Sequence, residues 1–134
     1  MIRYPKVRPH FAKGDIQWDT ATQKVAFVGD VYTAGDEVIG DIVGGIIAEA
    51  TLTSPTVSAT GVCLSDGPTY QVIIGPMPVG PPNVTAIVVY QDDALPANRW
   101  LIVREDAIAG LPFTPTGAAI TITWDSINGI FKVD

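Results

Sequence analysis

A chain of 134 residues is long enough to bury a hydrophobic core without disulfides or metals, and this one is 47% hydrophobic, 16% charged and formally −6 at neutral pH. Its apolar runs all break well short of the roughly 20 residues that a membrane helix needs. Pro5 and Pro9 stand where a secretory leader has its apolar core, and a single cysteine, Cys63, excludes an internal disulfide and suits a reducing compartment. Cys63 lies between Val62 and Leu64, so it reads as a small buried hydrophobe.

With a mean hydropathy of +0.29, the polar allotment is lean for a small domain. Either the strands are buried on both faces, or other subunits cover part of the surface. The second reading is the expectation, and with it a homo-oligomer.

In chain order, Met1 to Lys13 reads as an extended arm, with two prolines and no helical period. It holds Arg3, Lys6, Arg8 and Lys13, half of all the bases, and no acid precedes Asp15. Four bases and fourteen acids make up the remainder, a net of −10. A basic arm on an acidic body suits an acidic neighbour, because complementary charge steers and registers contacts. Tyr4 and Phe11 would add apolar anchors to Arg3, Lys6, Arg8 and Lys13. A solvated tail is the bland alternative. Nucleic acid is not expected, since the acidic body repels phosphates.

From Gly14 onward the sequence reads as one β domain, residues 14–134. Ile16 and Trp18 alternate with polar residues, and Lys24 to Val28 forms a short apolar strand. Thr33 to Asp41 is the single candidate helix, weakened by Gly35 and Gly40, since an interior glycine costs about 1 kcal/mol relative to alanine. Ile46 to Thr53, Thr56 to Leu64 and Thr69 to Ile74 read as strands, with a turn at Ser65 to Pro68. Gly75 to Pro82, with four prolines and two glycines, is a stiff loop. Val84 to Tyr90 is almost continuously apolar and predicts a central strand, with Arg99 to Val103 pairing next. Ile120, Ile122 and Trp124 alternate with Thr121 and Thr123. Asn128-Gly129 then turns the chain into a closing strand, Ile130 to Val133, so that the end reads as a hairpin. Seven to nine short strands between glycine and proline turns predict an all-β, single-domain β-sandwich or jelly roll, with at most one short helix.

Catalytic chemistry is not legible. His10, the one histidine, sits on the arm away from any nucleophile–base pair. One histidine and one cysteine do not make a zinc site, and no glycine-rich loop opens a helix for phosphate. The acidic pairs Asp15/Asp19, Asp36/Glu37, Asp92/Asp93 and Glu105/Asp106 fall near turns without calcium-loop spacing and read as solvated loops. No cofactor and no metal are expected. Trp18, Trp100 and Trp124 are expected on strands as anchors of the core or of a subunit interface.

The order of several short motifs carries more than any one of them. Gly14-Asp15-Ile16-Gln17-Trp18-Asp19-Thr20 precedes Lys24-Val25-Ala26-Phe27-Val28 and Tyr32-Thr33. Ala50 to Ser54 reads Ala-Thr-Leu-Thr-Ser, and an apolar strand ending in Tyr-X-Asp spans Ala86 to Asp92. Residues Pro112 to Lys132 hold a Pro-X-Thr-Pro-X-Gly stretch, then Ile-Thr-Ile-Thr-Trp-Asp and Gly-Ile-Phe-Lys. This series resembles a family of small phage and prophage virion structural proteins, from about Gly14 to the end. One departure is mid-chain: the family's Phe-Asp-Ala-Asp-Asp stretch is here Cys63-Leu64-Ser65-Asp66-Gly67, which lacks the acidic run.

The resemblance implies a virion component without enzymatic activity. The expected role is a capsid decoration (cement) protein, a homotrimer that binds the major capsid protein on the capsid surface and assembles in the host cytoplasm. A tail or head–tail connector component is the neighbouring reading. A carbohydrate-binding module is the reading from another class, allowed by the fold and by exposed tryptophans, although fold alone does not license function.

Overall fold

The computed structural model describes residues 2–65 and 70–132 and is all-β. The strands are β1 (Ile2–Arg3), β2 (Gln23–Val28), β3 (Ile46–Thr51), β4 (Thr56–Val57), β5 (Val62–Leu64), β6 (Gln71–Ile74), β7 (Ala86–Gln91), β8 (Leu101–Glu105), β9 (Ile120–Thr123) and β10 (Phe131–Lys132). A five-stranded antiparallel sheet runs β1-β8-β7-β2-β3. A second layer is split into a three-stranded sheet, β10-β5-β4, and a two-stranded ribbon, β6-β9.

β7 takes the middle of the large sheet because its run Ala-Ile-Val-Val-Tyr is apolar at successive positions, which suits burial on both faces. Val25 pairs with Val89 and Phe27 with Ile87, placing them toward the second layer. There they pack with Trp18, Cys63, Ile74 and Phe131 in the main core. Ala26, Val28, Val88, Tyr90 and Leu101 point the other way, into a second core closed by Tyr4, Ile39 and Ile42. Burying each large aliphatic side chain contributes roughly 1.5–3 kcal/mol. Much of the lean polarity is therefore absorbed inside the chain, where the central strands are covered on both sides.

An ion pair is buried beside this second core. Arg104, fully enclosed, donates to Asp30 Oδ1 at 2.6 Å and to the Asp30 carbonyl at 3.2 Å, and its Nε reaches Asp106 at 3.3 Å. The Tyr32 ring lies 5.8 Å from the guanidinium. Removing one member of such a pair costs about 3–5 kcal/mol, because it leaves a buried charge alone.

Several local expectations are corrected. Residues 2–13 are not an extended arm. β1 pairs with β8, the Tyr4 amide donates to the Ile102 carbonyl at 3.1 Å, and Val7–Ala12 forms the helix α1. The prolines permit this because Pro5 precedes the helix and Pro9 falls in its first turn, where backbone N–H groups have no intrahelical partner. The segment Thr33 to Asp41 is not an α-helix. It holds only a 3-10 turn, Ile39–Asp41, and Asp41 Oδ2 accepts from the Glu37 and Val38 amides.

Thr56 to Leu64 is a hairpin rather than one strand. Ser58 Oγ accepts from the Thr60 and Val62 amides, and Gly61 adopts φ +83°. The C-terminal pair is not a hairpin either, because β9 joins β6 while β10 joins β5. Residues 125–129 form the corner between them. Asp125 Oδ1 accepts from the Ile127 and Asn128 amides, and Gly129 sits where a Cβ would lie 2.6 Å from the Cys63 carbonyl. Asp66 to Pro68 of the expected turn, with Thr69, and Val133 of the closing strand lie outside the described residues.

Candidate functional site

The six residues expected to form an arm are divided by the fold. Tyr4 and Phe11 face inward: Tyr4 is almost wholly buried and sits 5.9 Å from Tyr32, while Phe11 packs on Phe131 with ring centroids 6.0 Å apart. Burial pushes the Tyr4 hydroxyl above its ordinary pKa, with the neighbouring Arg104 guanidinium opposing. Arg3 is half-buried and directs a guanidinium nitrogen to the Lys132 carbonyl at 3.4 Å. Lys6, Arg8 and Lys13 are exposed. The basic face of the N-terminal segment therefore survives, but on a folded element.

His10 holds that element down. The ring stacks on Trp100 with centroids 3.7 Å apart and an interplanar angle of 22°. Nδ1 lies 2.8 Å from Asp15 Oδ2, and Nε2 lies 2.7 Å from Glu37 Oε1. Each ring nitrogen thus faces a carboxylate oxygen, and the imidazole is held between two acidic side chains. Glu37 also meets Lys6 Nζ at 3.5 Å. The hydrogen bond from His10 holds the Glu37 carboxyl below its ordinary pKa, with Lys6 adding to the effect. Nothing in the spacing of Asp15, Glu37 and Trp100 along the sequence announces this clasp, since its partners come from three separate segments.

These contacts hold a helix in place and do not activate a nucleophile. The Cys63 thiol is fully buried and pushed up to about 12 by desolvation, far from a thiolate at neutral pH. Among the described residues, no group of three or more His, Cys, Asp and Glu side chains is placed to hold a metal ion, and no helix is long and apolar enough to cross a membrane.

The three tryptophans have three different settings. Trp18 is a core residue in a turn rather than on a strand, donating from its indole to the Leu64 carbonyl at 2.9 Å and standing edge-on to Phe131. Trp100, half-buried, forms the floor under His10 and bridges to Val38. Trp124, just beyond β9, is half-buried on the wall of a cleft between the layers. That cleft has two lobes of about 320 and 410 Å³, which share Ile87, Ile108, Ile122 and Thr123.

A polar network that the sequence did not announce occupies one end of the large sheet. Lys24 contacts Glu49 at 3.4 Å and Asp92 at 3.5 Å, and Arg99 meets Asp92 at 3.3 Å. The Tyr90 hydroxyl donates to Glu49, and burial together with that carboxylate raises its pKa strongly. The strand register, Lys24 opposite Tyr90 in β7 and Thr51 in β3, sets these groups side by side. Lys24, Arg99 and Arg104 are thus neutralised within the body.

No protein-family model, curated protein or solved structure matches this chain.

Proposed function

We propose that the protein is a structural component of a phage particle, a capsid decoration protein that binds the capsid surface as an oligomer and acts by binding rather than by chemistry. The ordered series of motifs from Gly14 to Lys132 carries this reading. A capsid lattice has three-fold and quasi-three-fold points, and a trimer of this chain capping them would clamp neighbouring capsid subunits. The major capsid protein is the proposed partner, in the virion, with assembly in the host cytoplasm.

The N-terminal surface supports the same reading. Arg8 and Lys13 project from a helix fastened to the body by His10, while Lys24, Arg99 and Arg104 are engaged with acids of the body. A rigid basic face on an acidic domain favours an acidic protein surface and orients the approach.

Purified particles of a phage that encodes the protein test the proposal. Mass spectrometry and cryo-electron microscopy should find it on the capsid, at a fixed copy number and with density at lattice symmetry points. Density confined to the tail or the head–tail junction would replace decoration by the connector reading. Absence from the particles would overturn both.

A further inference from the structure

Two stretches of the chain, residues 70–91 and 107–124, hold neither an acid nor a base. The fold sets them against each other. β6 pairs with β9 from Gln71–Thr123 to Ile74–Ile120, and the ladder continues irregularly through Val79 with Thr116 and Val84 with Phe113. Val72, Ile74, Ile120 and Ile122 pack on the main core, so the alternation of the two strands turns Gln71, Ile73, Thr121 and Thr123 outward. Ile73 is 64% exposed, and Val79, further along the ladder, 78%. Among the described residues β6 and β9 pair with each other alone.

We infer that the outward face of this ribbon is an interaction surface, and that its partner is a second copy of the same chain. Solvent-facing edge strands ordinarily carry charged side chains, lysine above all, which keep one ribbon from meeting another. This one has none.

Electrostatics names the occupant. Each copy carries a net −6, so two copies repel wherever their charged surfaces meet. The ribbon is the face on which they can approach with no charge to oppose or to desolvate, and the cores of protein interfaces are depleted of charge in the same way. A partner selected by charge would need a charge here to read, and the two stretches offer none. Pro76, Pro78, Ala118 and Ala119, exposed on the same ladder, lose almost no rotamer freedom when covered. The inference gives the oligomer of the proposed function its contact face. It rests on that oligomer but not on the particle, because self-association is a property of the purified chain.

Sedimentation velocity of the full chain, from about 1 to 100 μM, should show an oligomer. It should tighten as salt rises from about 0.1 to 1 M, because screening relieves the repulsion between acidic copies. Ile73→Glu combined with Val79→Glu should raise the dissociation constant at least about a hundredfold with circular dichroism unchanged, since both side chains are exposed. Leu95→Glu, exposed in the segment between β7 and β8, is the control and should leave association as it is. A monomer throughout that range, or association that the double variant leaves intact, would overturn the inference. Association that weakens with salt would assign the contact to ion pairs and overturn it as well, and this response needs no variant to read. None of these results bears on whether virions carry the protein, so the particle reading stands or falls separately.

Discussion

The N-terminal segment and the β9 edge stand in contrast. The first carries every sequence mark of a loose arm, with prolines, clustered charge and no period, yet it is fastened by a strand pairing, a buried tyrosine and a two-carboxylate histidine clasp. The second has the regular alternation of a closed hairpin, yet its inward residues are only half-buried beside an open cleft. Order along the chain and closure in space are separate properties. Long-range contacts decide the second, and a local pattern does not contain them.

The largest predicted effect is on the segment that looked dispensable. Deleting residues 1–13 removes Tyr4 from the second core and uncovers Trp100 and Phe131, so the thermal midpoint should fall by about 10 °C or more. Differential scanning calorimetry checks this, and an unchanged midpoint would restore the arm.

Tryptophan substitutions sharpen the contrast. Trp18→Ala should cost about 3–5 kcal/mol in urea denaturation, the range for a large core ring, plus part of a lost hydrogen bond. Trp124→Ala should cost clearly less, about 1–2 kcal/mol, because its ring is only partly covered. Equal losses would mean the cleft is closed in solution.

The clasp should respond to acid. Glu37 titrates below its ordinary value of 4.5 in the folded protein because His10 donates to it. Its contribution is therefore complete above that value and is lost as pH falls through the depressed one. Asp41, held down by the Glu37 and Val38 amides, acts in the same direction. The midpoint should fall on acidification below about pH 4.5, and Glu37→Gln should flatten that slope. Identical acid profiles for the two proteins would remove Glu37 from the account.

The smallest effect on stability is expected at Arg8 and Lys13. Replacing both by alanine should change stability by no more than about 0.5 kcal/mol, as at most exposed positions, while weakening attachment to particles in a salt-dependent way. Full occupancy by the double variant in a co-sedimentation assay would assign attachment to another face.

The all-β class and the central place of β7 are legible because they follow from composition and a single apolar run. Lys24 to Val28 and Ile46 to Thr53 fall on β2 and β3 within a residue or two for the same reason. The hairpin hidden in Thr56 to Leu64 was masked by β-branched residues on both arms, and its turn rests on the Ser58 hydroxyl and Gly61 rather than on an Asn-Gly pair. At the C-terminus the Asn-Gly signal is real, but it marks a corner between two sheets. Of the candidate site, the basic character of residues 3–13 was visible. The anchoring role of Tyr4 and Phe11 and the pairing of His10 with Asp15 and Glu37 were not, because they depend on where β8, the 3-10 turn and Trp100 come to lie.

Native-state amide hydrogen exchange of the full chain tests the contrast most directly. The Tyr4 amide, bonded to Ile102, and the Lys13 amide, bonded to Pro9, should be protected to within about tenfold of the β7 amides. Alternate amides of β9, those on the edge away from β6, should exchange at least about a hundredfold faster than β7. Rapid exchange at Tyr4 and Lys13, together with uniform protection along β9, would contradict the account on both sides.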